Sequence, residues 1–173
     1  VVAAAGVVVA LAASSTIAAA PTTIGESVPS ASLARAVRLD PPAAPMSPLM
    51  RDMLDRVNAE RSLRGLAPMR YDDRLVEAAQ RHSDDQAASR QMSHTGSDGS
   101  TLVVRIDRVG YDWRRLGENV AYGYPDAASV MAGWMASDGH RRNILSANTE
   151  LGVGVAAGAD GRLYWTQVFA TPA

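Results

Sequence analysis

Two histidines and one glutamate carry the chemistry that this sequence could do. Glu118 stands in "LGENVAYG", Leu116 to Gly123, a stretch that turns apolar after Asn119. An unpaired charge is costly to bury, so a carboxylate in an apolar, strand-like run needs a partner. His94 falls in "MSHTGSDG", just past an expected helix end, where a loop presents side chains outward. His140 opens "GHRRNIL" after Asp138 and Gly139. At a helix N-terminus the dipole disfavours added positive charge and leaves a neutral imidazole able to bind metal. Two neutral imidazoles and a carboxylate make a zinc-type set, with a water in the fourth position. Residues 94, 118 and 140 are too widely spaced for a local ligand motif, so only the fold could gather them. The third histidine, His82, sits mid-helix at an inner position and reads as core. No H-E-x-x-H, G-x-S-x-G or Walker-type phosphate loop occurs. Asp98-Gly99 and Asp160-Gly161 read as turns rather than calcium ligands.

The elements that must position these residues follow from periodicity. Ser47-Pro48 is an N-cap followed by proline at the first helical position. Leu49, Met50, Met53, Leu54 and Val57 then recur at helical spacing, and Gly65 closes the helix. A second helix starts after Asp72 or Asp73 and runs to about Met92, with Leu75, Ala78, Ala79, His82 and Gln86 inward. "TLVVRIDRVG" fits either a strand or a short helix. "ENVAYG" reads as a strand, and "DAASVMAGWMAS" as a helix capped by Asp126, with Val130, Met131, Trp134 and Met135 inward. "GHRRNIL" is a short helix. "LGVGVAAG" and "LYWTQVFA" form a hairpin across an Asp-Gly turn. Helices come first and strands mostly later, which gives an α+β class with helices covering an antiparallel sheet. Asn119 reads as a structural amide, Gln167 as a solvated strand position, Arg141 and Arg142 as exposed helix charges. Tyr122 either lines the cleft or packs.

Composition bounds the rest. The chain has 173 residues, 47% of them hydrophobic, and a formal net charge of -1 from 17 basic and 18 acidic residues. That balance gives no basic face for nucleic acid. All the basic residues are arginine, and no cysteine occurs, which removes disulfides and thiolate nucleophiles together. Residues 1–20 form an apolar run ending in Ala18-Ala19-Ala20, the pattern of an export signal; the rival is a single anchoring helix. Either sends the rest of the chain outside the cytoplasm, with membrane contact only through an uncleaved N-terminal segment. Residues 21–46, rich in Pro, Ala and Ser, read as a linker. Residues 47–173 form the domain.

Six blocks, "VNAERSLRGLAPMRYDDRLVEAAQRHSDDQA", "MSHTGSDGS", "LGENVAYG", "GWMASDGHRRNIL", "LGVGVA" and "YWTQVF", occur in the order and spacing of bacterial CAP-domain proteins. The chain resembles the SCP-like extracellular branch of the cysteine-rich secretory, antigen-five and pathogenesis-related superfamily over about residues 49 to 170. That resemblance implies an α-β-α sandwich, a small antiparallel sheet between helical layers with an open cleft. It implies a cleft lined by two histidines and two acidic residues, which holds zinc in some members. Carried over, His94, Glu118 and His140 are the metal set, and the second acidic position falls on Ser137, with Asp138 as the neighbouring substitute. The function expected is an extracellular binding module that holds a lipid, sterol, envelope glycan or partner protein. The alternative is a zinc-assisted hydrolase of the cell envelope, in which Glu118 or a zinc-bound water is the base, and Ser93, Ser97 and Ser137 are the available hydroxyls.

Overall fold

A computed structural model of the protein describes residues 4–9 and 46–173. The expected export signal and linker lie outside the described residues, apart from Ala4–Val9 and Met46. Ala4–Val9 is a strand, β1. The other elements are α1 (Pro48–Ser62), β2 (Arg70–Tyr71), α2 (Asp73–Ser89), α3 (Leu102–Arg108), β3 (Trp113–Tyr122), α4 (Ala127–Ala136), α5 (Asp138–Ile144), β4 (Glu150–Ala157) and β5 (Leu163–Pro172).

The helices start where polar caps meet apolar periodicity. Ser47, Asp72, Thr101 and Asp126 each accept a backbone N–H of the first turn that follows them. α2 stops at Arg90, which adopts a left-handed conformation at φ 55°, two residues before the expected end. "TLVVRIDRVG" resolves as helix, because the Thr101 cap bonds the Val104 amide and Arg105 turns inward.

The sheet runs β1-β3-β5-β4-β2. The β3–β5 and β4–β5 pairs are antiparallel, while the two-residue β2 lies parallel to β4. A two-residue strand has too little pattern to be read from sequence. Strand alternation sends successive side chains to opposite faces. One face packs on α2 and α3 through Leu75, Ala78, Ala79, Leu102, Ile106, Leu116, Val168 and Ala170. The other packs on α1, α4 and α5 through Met53, Val57, Val130, Trp134, Ile144, Leu151, Trp165 and Phe169. The result is the expected α-β-α sandwich, and with no cysteine the two apolar layers carry its stability. Arg61 adds a polar tie: from α1 it donates to the carbonyls of Ile144 and Ser146, each at 2.8 Å.

Candidate functional site

Glu118 lies mid-β3, opposite Val168 of β5, and is 1% exposed. Val168 belongs to the α2–α3 layer, so that is the face on which the Glu118 carboxylate lies. There its two oxygens have separate partners. Oε1 is 2.8 Å from His94 Nδ1, and Oε2 accepts from Arg105 Nη2 at 2.6 Å. The buried carboxylate is thus paired with a guanidinium rather than left unsatisfied.

The loop holding His94 is pinned from three sides. His82 Nε2 donates to the Ser93 carbonyl at 2.8 Å, and Gln86 Oε1 accepts the Ser93 amide at 3.1 Å. Arg105 Nη1 donates to the carbonyls of His94 and Ser100, at 3.2 and 2.9 Å. His82 is core, as its helical position implies, and burial pushes its pKa down. Gln86 is further fixed by donating to Thr166 Oγ1 on β5 at 3.1 Å. His94 itself keeps about a fifth of its side chain exposed, so the ring sits between a buried carboxylate and the surface.

His140 does not join this pair. Glu118 and Asn119 are adjacent on a strand and point to opposite faces. Asn119 Nδ2 donates to the His140 carbonyl at 3.3 Å and to Gln167 Oε1 at 3.2 Å, while its Oδ1 accepts from Asn143 Nδ2 at 2.8 Å. The helix that carries His140 therefore packs against the Asn119 face, with His140 fully buried. Among the described residues, no group of three or more His, Asp or Glu side chains is arranged to hold a metal ion. Of the zinc set expected of His94, Glu118 and His140, the structure pairs His94 with Glu118, and an arginine occupies the other oxygen of that carboxylate. Asp138 does not supply the second acid either: it is exposed and paired with Arg141 on its own helix.

Other expectations divide. Asn119 is structural, as its neighbours imply. Gln167 is not solvated; β5 is a central strand and Gln167 is fully buried. Tyr122 packs at the far end of β3, with its ring 4.6 Å from that of Tyr164 and its hydroxyl donating to Asp160 at 2.7 Å. Ser93 Oγ accepts from the Thr95 amide and Ser97 donates to Asp85. Sequence reasoning missed Arg105 and Asn143. Arg105, spaced with Leu102 and Ile106 on one helical face of "TLVVRIDRVG", was the available signal, since an ion in an apolar helix face implies a buried counter-ion.

A family model described as the cysteine-rich secretory protein family, CAP, matches residues 54–169. The chain belongs to the CAP family. It is 36% identical over 120 residues to the uncharacterized membrane protein YlbC of Bacillus subtilis, covering 69% of this chain and 33% of that one. It is 32% identical over 118 residues to the uncharacterized protein YkwD of the same organism, covering 68% and 45%. The CAP domain thus spans less than half the length of these curated relatives. Among solved structures, an extracellular protein containing a SCP domain from Bacillus anthracis superposes with a TM-score of 0.65 at 29% identity, over 75% of this chain and 45% of that one. In this CAP domain the blocks "MSHTGSDGS" and "LGENVAYG" meet as His94 with Glu118.

Proposed function

We propose that this CAP domain works outside the cytoplasm as a binding module for an acyl chain. The observation that carries the reading is an open groove of about 280 Å³ between α1 and α4, lined by Ala59, Ala128, Met131, Ala132 and Met135. Methionine and alanine make an adaptable apolar wall. Arg56, already paired with Asp52 at 2.9 Å, and Glu60 also line it, so the apolar wall rather than a charge is what would hold the chain. An extracellular setting is supported by the described location of the Bacillus anthracis relative, and a membrane setting by that of YlbC. Among the described residues no helix is long and apolar enough to cross a membrane.

The test is a titration with a fluorescent long-chain fatty acid. Saturable binding is expected, weakened at least about tenfold by Ala132→Arg, which places a bulky charge at an exposed groove position without touching the core. Equal binding by that variant, or none by the wild-type chain, contradicts the reading.

A hydrolase is the second reading, and one contact favours it. Glu118 orients His94 through Nδ1, as a carboxylate orients a histidine base. His94, not Glu118, would then take the proton from water. Activity that survives His94→Ala removes it.

A further inference from the structure

A second cavity shares Arg105 with the Glu118 ion pair, and the binding proposed above does not use it. It holds about 220 Å³ between α2, α3 and the loop at 96–100, and Arg81, His82, Asp85, Asp98, Ser100 and Arg108 are among the residues that line it. His82 is 1% exposed, and among the described residues its Nδ1 has no hydrogen-bond partner. The other ring nitrogen fixes what Nδ1 can do. Nε2 lies 2.8 Å from the Ser93 carbonyl, which only accepts, so Nε2 carries the hydrogen. Burial holds His82 neutral by lowering its pKa. Nδ1 is therefore a lone-pair acceptor inside the molecule, and it calls for a donor.

The charged walls narrow the ligand. Arg108 pairs with Asp98 at 2.7 Å, Arg105 with Glu118 at 2.6 Å, and Arg81 with Glu77. With each guanidinium already paired, and with Asp85 and Asp98 present, a bare anion finds no excess positive charge. A free cation meets the arginines. A neutral hydroxylated molecule suits both: an O–H donates to His82 Nδ1 or to the aspartates, and the same oxygens accept from Arg81 and Arg108.

We propose that this cavity is a binding site for a neutral sugar ring, set by the His82 Nδ1 acceptor and the Asp85, Asp98 and Arg108 side chains around it. The site is separate from the α1–α4 groove and shares only Arg105 with the Glu118 pair.

The experiment is long-range ¹H–¹⁵N NMR of the imidazoles in the full chain, titrated with N-acetylglucosamine and with its tetrasaccharide. The His82 Nδ1 resonance is expected to start as an unprotonated nitrogen and to move saturably with both. Tighter binding of the tetrasaccharide identifies a glycan as the source; equal affinity identifies a free monosaccharide. Arg108→Ala and Asp85→Asn, both at partly or fully exposed positions, are expected to weaken binding at least about tenfold with the fold intact. The proposal is overturned if Nδ1 carries a proton, if neither sugar moves it so that water alone is its donor, or if both variants bind like the wild-type chain.

Discussion

Replacing Arg105 with methionine is expected to lower the unfolding free energy by about 3–5 kcal/mol, the usual cost of breaking a buried ion pair by removing one partner. The reason is what remains. Glu118 is 1% exposed and would keep a carboxylate whose Oε2 has lost a 2.6 Å donor, inside an apolar layer. The carbonyls of His94 and Ser100 lose their donor at the same time. Adding Glu118→Gln to that variant should recover more than half of the loss, because a neutral amide costs far less to bury and its oxygen can still accept from His94. Urea titration measures this through the midpoint, provided the slope is unchanged. A loss below about 1 kcal/mol, or no recovery in the double variant, means that the pair does not organise the site.

Gly152→Ala is expected to be comparably severe, at least about 3 kcal/mol, at the upper end of overpacking costs. A Cβ at Gly152 would lie well under 3.0 Å from backbone atoms of Leu75 and Val76, and one at Gly154 would do the same against Ala79 and Gln80. Backbone cannot swing aside as a side chain can, so α2 must move away from β4. Gly133 is the contrast: its added Cβ would meet only the end of the Tyr124 side chain, and Gly133→Ala should cost clearly less. The effect reaches the site, since α2 carries His82 and Gln86, which hold Ser93 in place. Thermal unfolding and the His94 side-chain NMR signal should change together in Gly152→Ala. A variant that melts with the wild-type chain contradicts the close α2–β4 contact.

Much of the fold was legible because local signals agreed with one another. Ser47, Asp72 and Asp126 cap helices whose apolar positions repeat at helical spacing, and Asp160-Gly161 turns the hairpin with Gly161 at φ 75°. His94 and Glu118 were legible as a pair through the order of the blocks. What failed was the side of the sheet. Residues 118 and 119 must face opposite ways, but only long-range packing decides that α3 covers one and α5 the other. His140 was read together with Glu118, and the structure bonds the backbone of its helix to Asn119. Gln167 failed for the same kind of reason: β5 is last in sequence yet central in the sheet.

The central claim is that Glu118 is a shared anchor, with Arg105 on one oxygen and His94 Nδ1 on the other. The most direct measurement is the protonation state of the two His94 ring nitrogens, read by long-range ¹H–¹⁵N NMR at neutral pH. A hydrogen on Nδ1, lost as the dominant tautomer in Glu118→Ala, is the result expected from a carboxylate acceptor at 2.8 Å. A bare Nδ1 in the wild-type chain, or a His94 signal indifferent to residue 118, contradicts it.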